Sequence, residues 1–228
     1  MLQIRDTSTE LQNNRPWVSM LHREFAMQGV IFIISAPSGT GKTTLIHNLM
    51  KRVPGGAFSV SHTTRPPRPD EVEGQDYHFV SKNEFRNMRE AGDFAEWAQV
   101  HEHLYGTAKR EITSRAETNA YVLFEIDCQG AASLRKAFPQ AVSCFILPPS
   151  MQELKKRLRL RGTETPHDLK IRLENARTEI GRAREFDYCL INEDINKTTE
   201  NLAAVLTTAM SRTDRFTDKI LELLKEEV

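Results

Sequence analysis

The apolar positions of this sequence form short continuous runs, and segments with helical spacing lie between them. The runs are VIFIIS from Val30, YVLFEI from Tyr121, AVSCFIL from Ala141 and DYCLI from Asp187. Runs of this length without polar alternation are typical of strands buried on both faces of a parallel sheet. Amphipathic segments such as TTLIHNLMKRV separate them. The order therefore predicts an α/β fold, a three-layer sandwich in which helices cover both faces of a parallel core sheet.

Local patterns also predict two helix starts and the helices at the C-terminal end. Ser81 precedes Glu84, and Ser150 precedes Glu153, by the three residues of a capping box, in which the serine hydroxyl accepts from a backbone N–H. Apolar residues at helical spacing predict one or two further helices packed on the sheet between residues 201 and 224. These apolar residues are Leu202, Val205, Leu206, Phe216, Ile220 and Leu224.

Charge and apolar content limit the classes of function. Lys plus Arg and Asp plus Glu both total 31, so no field of one sign surrounds the chain. Neither nucleic acid nor an anionic membrane is therefore predicted as a partner. No apolar run approaches the roughly 20 residues of a transmembrane helix, and the N-terminal segment lacks the apolar core of a signal peptide. The expected location is cytoplasmic.

Two other features bear on organisation and compartment. Residues 1–27 are polar and weakly patterned, so they are predicted to form an extension outside the fold, and Met20 or Met27 could serve as an internal start. Cys128, Cys144 and Cys189 each lie in an apolar stretch typical of a strand. They are predicted to be buried thiols in a reducing compartment.

The segment after the first apolar run has the pattern of a phosphate-binding loop. Residues 35–44 read SAPSGTGKTT, with Ala36 at the position of the usual first glycine. Gly39 and Gly41 allow backbone N–H groups to turn towards phosphate oxygens, Lys42 can reach the β and γ phosphates, and Thr43 can ligate Mg²⁺. The predicted ATP-binding residues of this loop are Ala36, Pro37, Ser38, Gly39, Thr40, Gly41, Lys42, Thr43 and Thr44.

A second anion-binding segment follows, with the sequence SHTTRPPRP. Its prolines hold the chain extended, so Arg65 and Arg68 can converge on one phosphate while Ser61 supplies a hydroxyl. The same prolines satisfy a PxxP pattern, and a polyproline surface ligand for an SH3 domain is the alternative interpretation.

Two acidic residues end the apolar run YVLFEIDCQG. Alternation along a strand would place Glu125 and Asp127 on the same face, with Glu125 near Mg²⁺ through water and Asp127 towards the acceptor. DCQG also matches the DxxG pattern of GTPases, but no NKxD guanine motif follows it. A signalling GTPase is therefore disfavoured.

Two further motifs, GQDYHFVS and FAEWAQVHEHLYGT, complete a resemblance that extends from about Gly29 to the C-terminus. The sequence resembles the guanylate kinases, which phosphorylate GMP with ATP. The resemblance implies that Glu96 and Thr107 contact the guanine edge, and a carboxylate can accept from both guanine donors. It also implies an adenine contact at Asn192. The residues it assigns to GMP are Ser61, Arg65, Arg68, Tyr77, Glu96, Tyr105, Thr107 and Asp127.

The run ELKKRLRLRGTETP and the following LKIRLENARTEI resemble the lid of this family. Arg157 and Arg161 are four residues apart and share one helical face, and Arg172 follows on the next helix. Together with Lys42, these arginines are the expected catalytic residues, because they can stabilise charge on the transferring phosphate. A solvated basic helix is the alternative interpretation of the run.

The resemblance implies an inserted GMP-binding subdomain and a helical lid around the sheet, with Mg²⁺ held by Thr43 and, through water, Glu125. The expected boundaries are a core of residues 28–60, 108–150 and 185–228, an insertion of 61–107 and a lid of 151–184. ATP and GMP are the expected partners, and monomer and homo-oligomer both remain open. One alternative is a non-catalytic scaffold module of the same fold that binds phosphorylated peptides, which the intact loop disfavours. The other is a kinase of the same fold acting on a phosphorylated sugar, in which Glu96 and Thr107 would have no clear task.

Overall fold

The structure is a computed structural model, and it describes residues 29–69, 71–100, 102–160 and 166–226. The predicted N-terminal extension and Arg161 lie outside the described residues. Among the described residues, no helix is both long enough and apolar enough to cross a membrane.

Five parallel strands form the core sheet, in the order β2-β7-β1-β8-β9. They are β1 (Val30–Ser35), β2 (Gly56–Phe58), β7 (Tyr121–Glu125), β8 (Val142–Leu147) and β9 (Tyr188–Ile191). Four of the five correspond to the apolar runs, which confirms the predicted parallel sheet. The short strand β2 has no comparable run in the sequence.

The helices alternate with these strands. Their bounds are α1 (Lys42–Arg52), α2 (Lys82–Glu90), α3 (Lys109–Thr118), α4 (Cys128–Ala137), α5 (Met151–Leu160), α6 (Pro166–Gly181), α7 (Ile195–Met210) and α8 (Thr217–Leu223). Both predicted capping serines are confirmed. The Ser81 hydroxyl accepts from the Glu84 N–H at 3.1 Å, and the Ser150 hydroxyl accepts from the Glu153 N–H at 3.0 Å.

Helices cover both faces of the core sheet. Because side chains alternate along a strand, Phe32 of β1 packs on one side with Leu45 of α1 and Leu202 of α7. Its neighbour Ile33 packs on the other side with Ile112 of α3 and with residues of α4. The predicted three-layer arrangement is thus confirmed, and the ends of the strands are left to carry the loops.

A second sheet lies between β2 and β7 in the chain, with strand order β4-β3-β6-β5. Its strands are β3 (Ser61–Thr63), β4 (Tyr77–Phe79), β5 (Phe94–Val100) and β6 (His103–Ala108). A small cluster of its own, built on Phe85 and Phe94, packs α2 against this sheet, and Leu104 lies against that cluster. Five residues of the predicted acceptor site lie on these strands: Ser61, Tyr77, Glu96, Tyr105 and Thr107.

Two expectations about burial are wrong. Cys128 and Cys144 are buried as predicted, although Cys128 begins α4 and does not lie on a strand, but Cys189 is exposed because it lies on the edge strand β9. At the C-terminal end Leu202 and Leu206 are buried, but Leu224 is 77% exposed and Ile220 is also exposed. The chain therefore forms the two predicted helices, but only the first packs on the sheet.

Candidate active site

The phosphate loop connects β1 to α1 and depends on two glycines with left-handed backbone conformations. Gly39 has φ of 88° and Gly41 has φ of 95°, a region that residues with a Cβ rarely adopt. Gly41 is the N-cap of α1, and it provides no side-chain hydrogen bond to the helix. The first N–H groups of α1 are therefore left for an anion, which the helix dipole also favours.

Three side chains from distant parts of the chain hold the loop. The Asn192 amide donates to the Thr40 carbonyl at 2.7 Å, and Arg157 donates to the same carbonyl and to that of Asn192, each at 3.3 Å. A Cβ added at Gly39 would lie 2.8 Å from Leu158, so α5 packs directly over the loop. Asn192, assigned by resemblance to adenine, and Arg157, assigned to catalysis, thus both contact the backbone of the phosphate loop.

Lys42 and Thr43 meet Glu125 where β7 ends. The Lys42 ammonium lies 3.5 Å from the Glu125 carboxylate, and the Thr43 hydroxyl donates to the same oxygen at 3.4 Å. Among the described residues, no group of three His, Cys, Asp or Glu side chains could hold a metal. Mg²⁺ usually takes only one or two protein oxygens and completes its shell with water and substrate phosphates. The hydroxyl and carboxylate oxygens present fit that requirement.

Asp127 has a different setting from the one predicted. Strand β7 ends at Glu125, and Asp127 is the N-cap of α4, where its carboxylate accepts from the Gly130 N–H at 2.7 Å. The argument from strand alternation therefore does not apply. Both acidic residues nevertheless line one cavity of about 410 Å³, together with Lys42, Ser61 and Tyr77.

A buried chain of polar side chains lies on the second sheet beside this cavity. Glu96 on β5 stands opposite Thr107 on β6, whose hydroxyl donates to its carboxylate at 2.6 Å. The Thr107 hydroxyl also lies 3.0 Å from that of Ser61, so Ser61 contacts Thr107 directly. Glu96 is only 9% exposed. Burial raises the pKa of its carboxyl, the Thr107 hydrogen bond lowers it in part, and the charge of Asp127 raises it further.

Arg65, a predicted phosphate ligand, is held by an acidic residue and an aromatic ring. It lies 2.6 Å from the Glu71 carboxylate, and its guanidinium is 5.4 Å from the centre of the Tyr77 ring. The Tyr77 ring in turn meets that of Tyr105 edge to face at 5.9 Å. Arg68, by contrast, has a side chain that is 73% exposed. The sequence analysis missed Glu71, although it follows Arg68 by three residues in the same segment.

Arg172, one of the predicted lid arginines, contacts the phosphate loop. Arg172 on α6 donates to the Ser38 hydroxyl of the phosphate loop at 3.3 Å. The sequence analysis also missed Glu179 on the same helix. Burial raises the pKa of the Glu179 carboxyl, the nearby Lys42 ammonium lowers it, and the Asp127 carboxylate raises it. Helix α6 therefore brings both a cation and an acid to the phosphate loop and its surroundings.

Comparison with known proteins gives consistent matches over most of the chain. A family model described as Guanylate kinase matches residues 28–209. The guanylate kinase of Aromatoleum aromaticum is 48% identical over 79% of this chain and 88% of its own length. That of Thermotoga maritima is 42% identical over 89% of this chain and 97% of its own length. The crystal structure of guanylate kinase from Anaplasma phagocytophilum has a TM-score of 0.64 and 32% identity, covering 86% of this chain and 95% of that one.

Proposed function

This chain belongs to the guanylate kinase family, and from that membership we propose that it transfers the γ-phosphate of ATP to GMP, giving ADP and GDP. One observation of the structure supports this most directly. The cavity lined by Lys42 of the phosphate loop is also lined by Ser61, Tyr77 and Asp127 of the acceptor side. Direct phosphoryl transfer requires that the attacking and transferred phosphates meet in one place.

On the ATP side, the backbone of residues 36–44 surrounds the phosphates, and Lys42 neutralises their charge. Mg²⁺, when bound with ATP, neutralises further charge on the transferring phosphate. Thr43 and, through water, Glu125 are the residues that would hold it. Asn192 has its amide nitrogen on the Thr40 carbonyl at 2.7 Å. Its side-chain oxygen can accept from the adenine amine.

On the acceptor side, guanine and phosphate are bound by different residues. The N1–H and exocyclic amine of guanine are two adjacent donors, which the buried Glu96 carboxylate accepts, and Thr107 and Asp127 support this contact. Arg65, Arg68, Tyr77 and Tyr105 hold the phosphate. None of these residues requires a 2′-hydroxyl, so dGMP is also an acceptor.

The lid acts after both substrates have bound. Residues 151–184 close over the site, and Arg157, Arg161 and Arg172 then stabilise charge on the transferring phosphate. The contact between Arg172 and Ser38 supports this role, since it already places a guanidinium beside the loop. The core of residues 28–60, 108–150 and 185–228 binds ATP, and residues 61–107 bind GMP. We place the reaction in the cytoplasm, where both nucleotides are available.

A coupled ADP-release assay with GMP, dGMP, AMP, CMP and UMP tests the proposal. ADP release is expected with GMP and dGMP, and little with the other three nucleotides. No release with any acceptor, despite binding of GMP, would favour the non-catalytic scaffold module. Release with a phosphorylated sugar and not with GMP would favour a sugar kinase of the same fold.

A further inference from the structure

The segment between β3 and β4 contains a carboxylate with no role in the reaction as described above. Glu71 follows Arg65 and Arg68 in the sequence and contacts both of them. One of its oxygens is 2.6 Å from the Arg65 guanidinium, and the other accepts from the Arg68 backbone N–H at 2.8 Å. The side chains of Arg65 and Glu71 are 14% and 15% exposed. Both oxygens of Glu71 are thus engaged, and the pair is largely shielded from water.

Arg65 is held on its other sides as well. Its second terminal nitrogen donates to the Pro66 carbonyl at 2.8 Å, and the guanidinium lies over the Tyr77 and Phe79 rings at 5.4 and 6.0 Å. These two hydrogen bonds use two of the five N–H groups of a guanidinium, and Tyr105 also accepts from Arg65. N–H groups beyond these three contacts remain available for a phosphate. The contacts therefore fix the orientation of Arg65 without using all of its donors.

The Glu71 carboxylate also offsets the positive charges of Arg65 and Arg68. Two arginines that converge on one phosphate repel each other when the phosphate is absent. Glu71 lies 4.0 Å from the Arg68 side chain as well as beside Arg65, so it offsets this repulsion. The hydrogen bond from Arg65 lowers the pKa of the Glu71 carboxyl, and the Arg68 backbone N–H lowers it further. Glu71 is therefore ionised at neutral pH.

We infer that Glu71 is a positioning residue for the acceptor phosphate, because it holds Arg65 and the backbone at Arg68 in the orientation that meets the phosphate of GMP. The inference rests on the proposed function, in which these arginines bind that phosphate. A carboxylate could instead occupy the phosphate position and compete with the substrate. Glu71 is tied at both oxygens, so displacing it would break two hydrogen bonds, and positioning is the role that the geometry favours.

The test compares Glu71→Ala and Glu71→Gln with a matched control in the same segment. The control is Glu73→Ala, since Glu73 accepts from the Phe79 N–H at 2.8 Å and lies 3.0 Å from His78, and it forms no ion pair with an arginine of the described residues. For each variant, kcat and KM are measured with GMP, together with the inhibition constant of guanosine, which keeps the base and sugar but lacks the phosphate.

Glu71→Ala is expected to raise the KM for GMP by roughly 10- to 100-fold, with a smaller change in kcat. Guanosine inhibition should change by less than about 2-fold, since the base contacts remain. Glu71→Gln should recover only part of the loss, because its single amide oxygen can accept from Arg65 or from the Arg68 backbone but not from both, and it carries no charge. Glu73→Ala should raise the KM by less than about 3-fold.

Three results would overturn the inference. Equal weakening of GMP and guanosine in both Glu71 variants would show that Glu71 only supports the local fold. A lower KM for GMP would show that it competes with the phosphate. A wild-type chain without GMP-dependent ADP release would overturn both the inference and the proposed function, and this result is distinguishable because it appears before any substitution is made.

Discussion

Replacing Glu96 by glutamine removes one charge and one acceptor from a buried position while the shape of the side chain is kept. In the native structure one carboxylate oxygen already accepts the Thr107 hydroxyl at 2.6 Å, which leaves the second oxygen and the remaining lone pairs for the base. Glutamine offers only one oxygen. If this oxygen meets Thr107, the amide nitrogen faces the guanine donors.

The expected loss follows from these contacts. A hydrogen bond to a charged group contributes about 1.5–3 kcal/mol and one between neutral groups about 0.5–1.5 kcal/mol, so loss of the charge weakens each of two guanine hydrogen bonds by about 1 kcal/mol. A donor facing a donor leaves a buried group unpaired, at a further cost of about 1–3 kcal/mol. The total of about 3–5 kcal/mol corresponds to a fall in kcat/KM for GMP of roughly 10²- to 10⁴-fold.

AMP provides the comparison, because adenine has no N–H at N1 and no amine at position 2. A neutral amide is cheaper to desolvate than a carboxylate, so kcat/KM for AMP should stay the same or rise. The assay is steady-state ADP release with GMP and AMP for wild type, Glu96→Gln and the control Thr107→Val. The control should lose only about 10-fold in kcat/KM for GMP, since it removes a neutral hydroxyl and leaves the Glu96 carboxylate in place. An unchanged GMP:AMP ratio in folded Glu96→Gln would refute the reasoning, and Asp127 would be the next residue to test.

Glu96→Gln should not lower the thermal stability of the protein, although it lowers the activity with GMP. Burial raises the pKa of Glu96 above its value in the unfolded chain, so between these two pKa values the native state binds more protons than the unfolded state. The native state is therefore favoured at low pH, and this stabilisation is lost as the pH rises through the raised pKa. At pH 7, well above the usual carboxyl range, Glu96→Gln should melt at the same temperature as the wild type or higher. A clearly lower Tm at pH 7 would contradict this account.

Three further substitutions test other parts of the site and fold. Lys42→Ala should lower kcat/KM by at least roughly 10³-fold with an unchanged Tm, because it removes a cation that is needed as charge develops. Residual activity within tenfold of wild type would contradict that role. Arg172→Ala should lower kcat by roughly 10³-fold with less effect on the KM for GMP, since the lid acts on the transferring phosphate. A change confined to the KM for GMP would show that Arg172 acts on GMP binding and not on the transferring phosphate. Tyr121→Phe removes a buried hydroxyl that donates to the Val53 carbonyl at 2.6 Å, so unfolding should become about 1–2 kcal/mol easier and the Tm should fall by about 3–6 °C with activity retained at 25 °C. An unchanged Tm would show that water replaces the contact.

Local sequence patterns were enough to predict four of the five core strands and the phosphate loop, because both depend on neighbouring residues. Continuous apolar runs predicted β1, β7, β8 and β9 within one or two residues, since a strand buried on both faces has few polar positions. Gly39 and Gly41 identified the loop, because the left-handed conformations it needs favour glycine. The resemblance to a family then supplied the list of acceptor-site residues.

Which of these residues are in contact depends on the arrangement of strands in the folded protein. Thr107 meets both Glu96, 11 residues away, and Ser61, 46 residues away, because strands β3, β5 and β6 are neighbours in one sheet. The side chain of Asn192 reaches the Thr40 carbonyl across 152 residues. Contacts of this kind depend on strand order and register, which no local pattern of apolar and polar residues encodes.

Burial of apolar residues at the edges of the fold also depends on the arrangement of distant elements. Cys189 lies in an apolar run and Leu224 continues the helical spacing of apolar residues, yet both are exposed. Cys189 lies on the edge strand of the core sheet, and Leu224 is the C-cap of α8, which has no buried residue. An apolar residue is buried only where a second element packs over it, and that depends on how distant elements are arranged.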